Sequence, residues 1–353
     1  MNELLSELIA IPGPCGLEHK VISYLYKRLK PFADEIKVDG LGNLIVTKKG
    51  AFDGPSLAVS AHTDEVGFIV KKIEKNGLIR FEKLGGHDDR ILLSETVVLT
   101  GDKGSVPGVI GTISAHMMKF DNTQHIRNYR EMYIDCGAKS AEEVERLGIH
   151  VGDPITWSTP FTKAGESRAY GHAFDDRCGC AMLAHMFETL DFSKVHGTVT
   201  GIFSTQEEVG LRGAESAAHV INADVALALD TTAVSDTFEA MMDHTLELGN
   251  GAGIKVMDSS LIASRTVWKK LEKLAKENDI PYQLEIFTGI GTDAGILHRG
   301  AKGVPSSVIS IPSRYAHSSV EMIDLDDFKA CYDLFEAFIY DMKDASDYSF
   351  ITE

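Results

Sequence analysis

Histidine and acidic residues stand in five separate short segments, each at the end of a predicted strand or the start of a predicted helix. In chain order the segments hold His62 with Asp64, the pair Asp175–Asp176, the pair Glu207–Glu208, Asp230, and His317. Strand ends of this kind form the binding edge of open α/β sheets, so these side chains can meet in the fold. Together they offer the nitrogen and oxygen ligands that divalent metal ions take in hydrolytic sites.

Each segment taken alone also has a purely structural explanation. His62 and Asp64 share one face of a strand, and a structural hydrogen bond accounts for them as well as a metal ligand with its supporting carboxylate does. An aspartate of the 175–176 pair suits the N-cap of the helix that follows. Adjacent glutamates at 207–208 are typical of a solvated loop, and a single histidine such as His317 is typical of the surface.

The combination of the five segments favours chemistry over these separate explanations. One His, one Asp, one Glu, a second Asp and a second His form the ligand set of a two-metal hydrolytic site in which a carboxylate bridges the ions. Such a site needs one further carboxylate to take a proton from water, and Glu207 beside Glu208 fills that role.

A regular alternation of helices and strands positions these segments. A helix over Glu18–Leu29 precedes a strand over Ser56–Ala61. After Gly171 the alternation resumes, and it includes a helix predicted over Ser259–Glu277. Such an alternation is typical of a layered α/β domain.

A segment of different texture interrupts this pattern. Residues 67–165 contain short strands with turn signals, such as a strand over Val109–Ile113, and one short helix. The sequence therefore predicts a layered α/β/α catalytic domain with a mixed sheet, residues 1–66 and 166–353. A smaller, β-rich and barrel-like domain, residues 67–165, would be inserted into it.

Composition limits the classes of partner. The chain has 353 residues, enough for about two domains, with 35 Lys and Arg against 52 Asp and Glu, a net charge of −17. This charge repels nucleic acid and anionic lipid, so neither is an expected partner.

No apolar run reaches the roughly 18 residues of a membrane span, and the N-terminus is acidic rather than basic, which predicts a cytoplasmic protein. Cys178 and Cys180, the close pair among five cysteines, are expected to pack on a helix face.

Five motifs, ordered along nearly the whole chain, resemble those of the tetrahedral aminopeptidases, the glutamyl-aminopeptidase-like metallopeptidases. They are Ala61-His62-Thr63-Asp64-Glu65-Val66-Gly67, Ala173-Phe174-Asp175-Asp176-Arg177, Thr205-Gln206-Glu207-Glu208-Val209-Gly210-Leu211-Arg212-Gly213, Gly291-Thr292-Asp293-Ala294-Gly295 and Arg314-Tyr315-x-His317-Ser318. The resemblance implies an aminopeptidase that removes N-terminal residues from short peptides.

The resemblance also implies a role for each site residue. Asp175 would bridge two divalent ions, of which zinc and cobalt are the first candidates and manganese a further one. One ion would be completed by His62 and Asp230, and the other by Glu208 and His317. Glu207 would be the general base and Asp64 the support of His62, with Gly291, Thr292 and Asp293 beside the substrate. The inserted domain would mediate dimer contacts, and dimers would assemble into a hollow tetrahedral dodecamer.

Two other activities remain open. A deacylase of N-acyl amino acids or peptides could use the same dinuclear site. A glycoside hydrolase could use the Asp–Asp and Glu–Glu pairs, but its two carboxylates must face each other across a sugar, roughly 5 to 9 Å apart. Neighbouring residues do not supply that geometry, so this alternative is the weaker one.

Overall fold

The computed structural model describes residues 1–122, 124–238, 246–300 and 302–351. Within these residues the chain forms one large mixed sheet of eleven strands and one closed barrel of six strands. The fold is therefore a layered α/β structure with an inserted β-barrel, which confirms the predicted fold class.

The elements follow the predicted alternation. The strands are β1 (Glu35–Val38), β2 (Leu44–Lys49), β3 (Phe52–His62), β4 (Gly67–Ile73), β5 (Ile79–Leu84), β6 (Thr96–Gly101), β7 (Gly104–Ile110), β8 (Ile134–Asp135), β9 (Pro154–Trp157), β10 (Thr162–Ala164), β11 (Arg168–Gly171), β12 (His196–Ser204), β13 (Val225–Ala233), β14 (Ala252–Met257), β15 (Tyr282–Ile286), β16 (Ser306–Arg314) and β17 (Glu321–Asp324). The helices are α1 (Asn2–Ile9), α2 (His19–Leu29), α3 (Ala141–Arg146), α4 (Phe174–Thr189), α5 (Arg212–Ala218), α6 (Arg265–Glu277), α7 (Ala294–Leu297) and α8 (Leu325–Asp341).

The large sheet has four parallel strands at its centre. Its order is β1-β2-β12-β3-β13-β16-β17-β11-β10, and β14 pairs with β16 and β15. Strands β12, β3, β13 and β16 run in the same direction, with Ser204 opposite His62 and Asp230 opposite Ser310. Because parallel strands share one carboxyl edge, the segments that follow these four strands come together there.

Helices cover both faces of the sheet. Successive residues of β3 show the alternation, since Leu57 and Val59 pack in one buried cluster and Ala58 packs in another. The first cluster holds α1, α2, α4, α6 and α8, and the second holds α5 and α7. Cys178 and Cys180 of α4 are both buried in the first cluster, as expected for helix packing.

The barrel has its own core. Strands β4 to β9 close in the order β4-β5-β8-β7-β6-β9 around buried apolar side chains that include Phe68 and Trp157. The predicted insertion extended to residue 165, whereas β10 (Thr162–Ala164) pairs with β11 in the large sheet. The return to the large sheet therefore falls between Trp157 and Thr162.

Several elements differ from the sequence prediction. Helix α1 was not predicted, and the helix predicted from Ser259 begins at Arg265. The strand predicted over Val109–Ile113 lies at Gly104–Ile110, with Pro107 paired opposite Val98. In the parts of the chain that the structure describes, no helix is both long enough and apolar enough to span a bilayer.

Candidate metal centre

The five predicted ligands lie at the carboxyl edge of the large sheet. His62 is the last residue of β3, and Asp230 lies within β13. Glu208 follows β12, and His317 follows β16. Asp175 stands in the first turn of α4, where its backbone leaves the helical region. The parallel strands thus bring together residues that are up to 255 positions apart in the sequence, from 62 to 317.

The ligand atoms form two groups that share one residue. Potential ligand atoms of His62, Asp175 and Asp230 lie within 4.8 Å of one another, and so do those of Asp175, Glu208 and His317. Asp175 turns Oδ1 toward His62 Nε2 at 3.0 Å and Oδ2 toward His317 Nε2 at 3.4 Å. Each carboxylate oxygen of Asp175 therefore faces a different group.

Both histidines present the same ring nitrogen to the carboxylates. His62 Nδ1 lies 3.1 Å from the backbone oxygen of Asp64, and His317 Nδ1 lies 3.0 Å from the backbone oxygen of Gly86. A carbonyl oxygen only accepts hydrogen bonds, so Nδ1 carries the proton in both rings. Nε2 is then the nitrogen available to ligate a metal in each case, an arrangement that is common around protein metal sites.

The acidic side chains at the candidate centre are buried close together, which shifts their pKa values and that of His317. Burial raises the pKa of Glu207 well above its ordinary value, and Asp230 adds to the effect. Burial opposes ionisation of Asp175 as well, but hydrogen bonds with His317 and His62 lower the pKa of Asp175. Burial lowers the pKa of His317, but the hydrogen bond to Asp175 outweighs this effect and raises that pKa to about 12.

The donor set fits divalent cations. Three carboxylates converge on two imidazole Nε2 atoms, and the contact of the buried Glu208 Oε1 is with His317 Nε2, at 3.1 Å. Buried carboxylates need positive charge beside them, which protonated imidazoles or bound cations can supply. Nitrogen and carboxylate oxygen ligands without sulfur suit zinc, cobalt and manganese alike.

Asp64 holds the segment that carries the two glutamates. Its Oδ1 accepts the backbone N–H of Glu207 at 3.0 Å, and its Oδ2 accepts that of Glu208 at 3.1 Å. The carboxylate lies farther from His62 Nδ1, at 3.5 Å, and the backbone oxygen of Asp64 makes the closer contact. Gln206 turns the chain here through a left-handed conformation, φ +56°, so adjacent glutamates reach one site.

The ligands line a cavity of about 550 Å³ together with Glu207. Its remaining wall comes mainly from small and apolar residues, among them Thr232, Ala233, Ser260, Phe287 and Ile290. Such a concave, mostly uncharged wall beside polar groups is typical of a ligand pocket.

The three residues expected beside the substrate separate in the structure. Gly291 lines the cavity. Thr292 and Asp293 are 1% and 2% exposed and do not line it. The Thr292 hydroxyl donates to Asp258, and Asp293 accepts a hydrogen bond from Ser204 at 2.5 Å. Neither side chain lines the cavity, so Gly291 alone of the three stands at its wall.

Sequence reasoning missed a buried network beneath the site. The Arg177 guanidinium is fully buried and donates to Thr63 O at 2.9 Å, to Ile11 O at 3.0 Å and to Glu65 Oε1 at 3.2 Å. It also donates to Leu8 O. This network joins the chain after His62 to the start of α4 and to the N-terminal segment. Arg177 and Glu65 both lie inside the quoted motifs, but their pairing requires the fold.

The match to known proteins covers most of the chain. The model of the M42 glutamyl aminopeptidase family matches residues 42–334. The lysyl aminopeptidase of Pyrococcus furiosus is 32% identical over 345 residues, which cover 97% of each chain. The crystal structure of a TET aminopeptidase from a Thaumarchaeota archaeon is 37% identical, with a TM-score of 0.91 over 97% of each chain.

A further structure is that of the Pyrococcus horikoshii TET1 peptidase, which can assemble into a tetrahedron or a large octahedral shell. It is 31% identical with a TM-score of 0.86, over 97% of this chain and 99% of its own. These matches extend over both the large sheet and the barrel. The chain therefore belongs to the M42 glutamyl aminopeptidase family.

Proposed function

We propose that this protein is an aminopeptidase with a dinuclear metal centre that removes N-terminal residues from short peptides. The observation that carries the proposal is the pair of ligand groups sharing Asp175, with Glu207 in the same cavity. His62 and Asp230 would complete one ion position, and Glu208 and His317 the other. Membership of a family of aminopeptidases supports the choice of peptide as substrate.

In the proposed reaction the bound ions and the residues Glu207 and Asp64 have separate roles. Two divalent ions, when bound, supply Lewis acid polarisation of the scissile carbonyl and acidify a water molecule. Glu207 takes the proton from the attacking water and delivers it to the leaving amine. Asp64 keeps Glu207 in place through its backbone N–H.

We also propose that the protein assembles through its inserted barrel, as dimers within a tetrahedral dodecamer. The support is an apolar stretch of the insertion that includes Met117, Met118, Phe120 and Ile126, which are 52%, 50%, 73% and 64% exposed. Monomers rarely leave such a patch open to water. Light scattering should show a large homo-oligomer, and a monomer at micromolar concentration would contradict the assembly.

The experiment for the activity compares peptides that differ only at the N-terminus. The wild type should bind two divalent ions per chain and hydrolyse a short peptide with a free amine, while the N-acetylated peptide should persist. Replacing the shared ligand, Asp175→Ala, should remove both ions. Efficient cleavage of the N-acetylated peptide would favour the deacylase alternative. Release of sugar from a polysaccharide with no peptide cleavage would favour glycoside hydrolysis.

A further inference from the structure

Glu321 is a buried carboxylate that touches the backbone of two candidate ligands. It begins β17, and its side chain is 1% exposed. Its Oε2 accepts the backbone N–H of Asp175 at 2.9 Å, and its Oε1 accepts the backbone N–H of His317 at 3.1 Å. One side chain therefore ties the start of α4 to the loop between β16 and β17.

The loop that carries His317 needs such a restraint. Tyr315 and His317 both adopt positive φ angles, 63° and 61°, which are unfavourable for residues with a Cβ atom. Backbone conformations of this kind persist where surrounding contacts enforce them. The hydrogen bond from the His317 N–H to Glu321 is such a contact, and it sits at the residue whose imidazole must point to the metal position.

The contact has a counterpart elsewhere in the same centre. Asp64 accepts the backbone N–H groups of Glu207 and Glu208, as Glu321 accepts those of Asp175 and His317. Two buried carboxylates thus fix the main chain under the base and three of the ligands.

We propose that Glu321 is a positioning residue that sets the affinity of the ion position formed by Asp175, Glu208 and His317. This inference rests on the dinuclear centre proposed above. A carboxylate supplies two acceptor oxygens, whereas a carboxamide supplies one acceptor and one donor. Glu321→Gln therefore keeps the size of the side chain but loses one of the two backbone bonds. Changes behind metal ligands typically weaken metal binding by about 10- to 100-fold.

Asp327 offers a matched control within the same protein. It is also 1% exposed, and its two oxygens accept the backbone N–H groups of Gly249 and Gly251, both at 2.7 Å. Asp327→Asn thus removes one acceptor from a buried carboxylate that bridges two amides. Its partners include none of the candidate ligands, so it reproduces the general cost of the change without touching the centre.

The experiment is a calorimetric titration of zinc or cobalt into the chelator-treated protein. The wild type should show two binding events per chain. Glu321→Gln should weaken the position that includes His317 by about 10- to 100-fold and the other position less, because Glu321 contacts one ligand that both positions share and one that belongs to a single position. Asp327→Asn should leave both unchanged. Excess metal should restore the kcat of Glu321→Gln, because Glu207 and the ligands are all present. Melting of the metal-free variants reports whether each is folded.

Three results would overturn the inference. Glu321→Gln could bind both ions as tightly as the wild type does, it could lose both ions equally, or Asp327→Asn could weaken metal binding to the same extent. A wild type that binds fewer than two ions is a different failure, because it contradicts the dinuclear centre itself.

Discussion

Replacing Arg177 by Met should destabilise the protein by about 3 to 5 kcal/mol, the usual cost of removing one partner of a buried ion pair. The guanidinium is fully buried and donates to three backbone oxygens and to Glu65. Methionine fills a similar volume but leaves those oxygens without donors. Glu65 would keep the Gly13 N–H at 2.9 Å and His172 at 3.4 Å as its polar neighbours.

A second substitution separates the unpaired charge from the lost hydrogen bonds. Glu65→Gln removes the charge and keeps an oxygen for the Gly13 N–H. In the double variant the buried charge is absent, so the total cost should fall below the sum of the single costs by about 1 to 3 kcal/mol, a typical coupling energy for residues in contact. The remaining cost belongs to the three backbone oxygens.

Urea unfolding followed by circular dichroism measures all four proteins of this cycle, with refolding checked for each. The expected loss is a large share of the roughly 5 to 15 kcal/mol that stabilises a typical domain, so Arg177→Met should unfold at clearly lower urea. A cost below about 1 kcal/mol for Arg177→Met would show that the network is not a stabilising buried pair. Strict additivity in the double variant would refute the coupling to Glu65.

Three further predictions concern the base, the substrate and pH. Glu207→Gln should keep two metal ions, as measured by elemental analysis. Its kcat should fall by about 10²- to 10⁴-fold, because an amide cannot take the proton from water. Turnover within a few-fold of wild type would exclude Glu207 as the base. Apart from the candidate ligands and Glu207, the described residues that line the cavity are uncharged. Chromogenic substrates with neutral N-terminal residues should therefore be cleaved faster than lysyl or glutamyl substrates. A preference for either charged residue would contradict this prediction. Burial raises the pKa of Asp327 to about 6, against about 3.9 when unfolded. The native state therefore binds the Asp327 proton more tightly than the unfolded state does. As the pH rises from 4 to 6, the free energy of unfolding of the wild type should fall, relative to that of Asp327→Asn, by at most about 3 kcal/mol. A difference between the two proteins that stays constant with pH would contradict the shifted pKa.

The place of the candidate centre could be predicted because strand ends carry a local signal. His62, Asp230 and His317 each end or follow an apolar run, and parallel strands gather such residues at one edge. Glu321 gives no comparable signal. Its contact with the Asp175 N–H joins positions 146 apart, and a single glutamate at the start of a four-residue strand is indistinguishable in sequence from a surface residue.

Errors in the elements have equally local causes. Strand β7 contains Pro107, and proline within a run normally argues against a strand. The helix predicted from Ser259 begins only at Arg265, because the chain from Ser259 first makes a turn in which Ile262 bridges Met257. Asp293 was expected beside the substrate because it lies in one of the five motifs. In the structure its side chain is 2% exposed and accepts a hydrogen bond from Ser204.

The Gly86 carbonyl links the barrel to the candidate metal centre at the edge of the large sheet. None of the candidate ligands lies between β4 and β9, yet Gly86, just after β5, accepts the Nδ1–H of His317 and so selects the tautomer of that ring. The insertion is therefore not a module that evolution or an engineer can exchange freely. A replacement domain would have to present an acceptor at the same point in space, or His317 would lose its fixed tautomer although every ligand remained in the sequence.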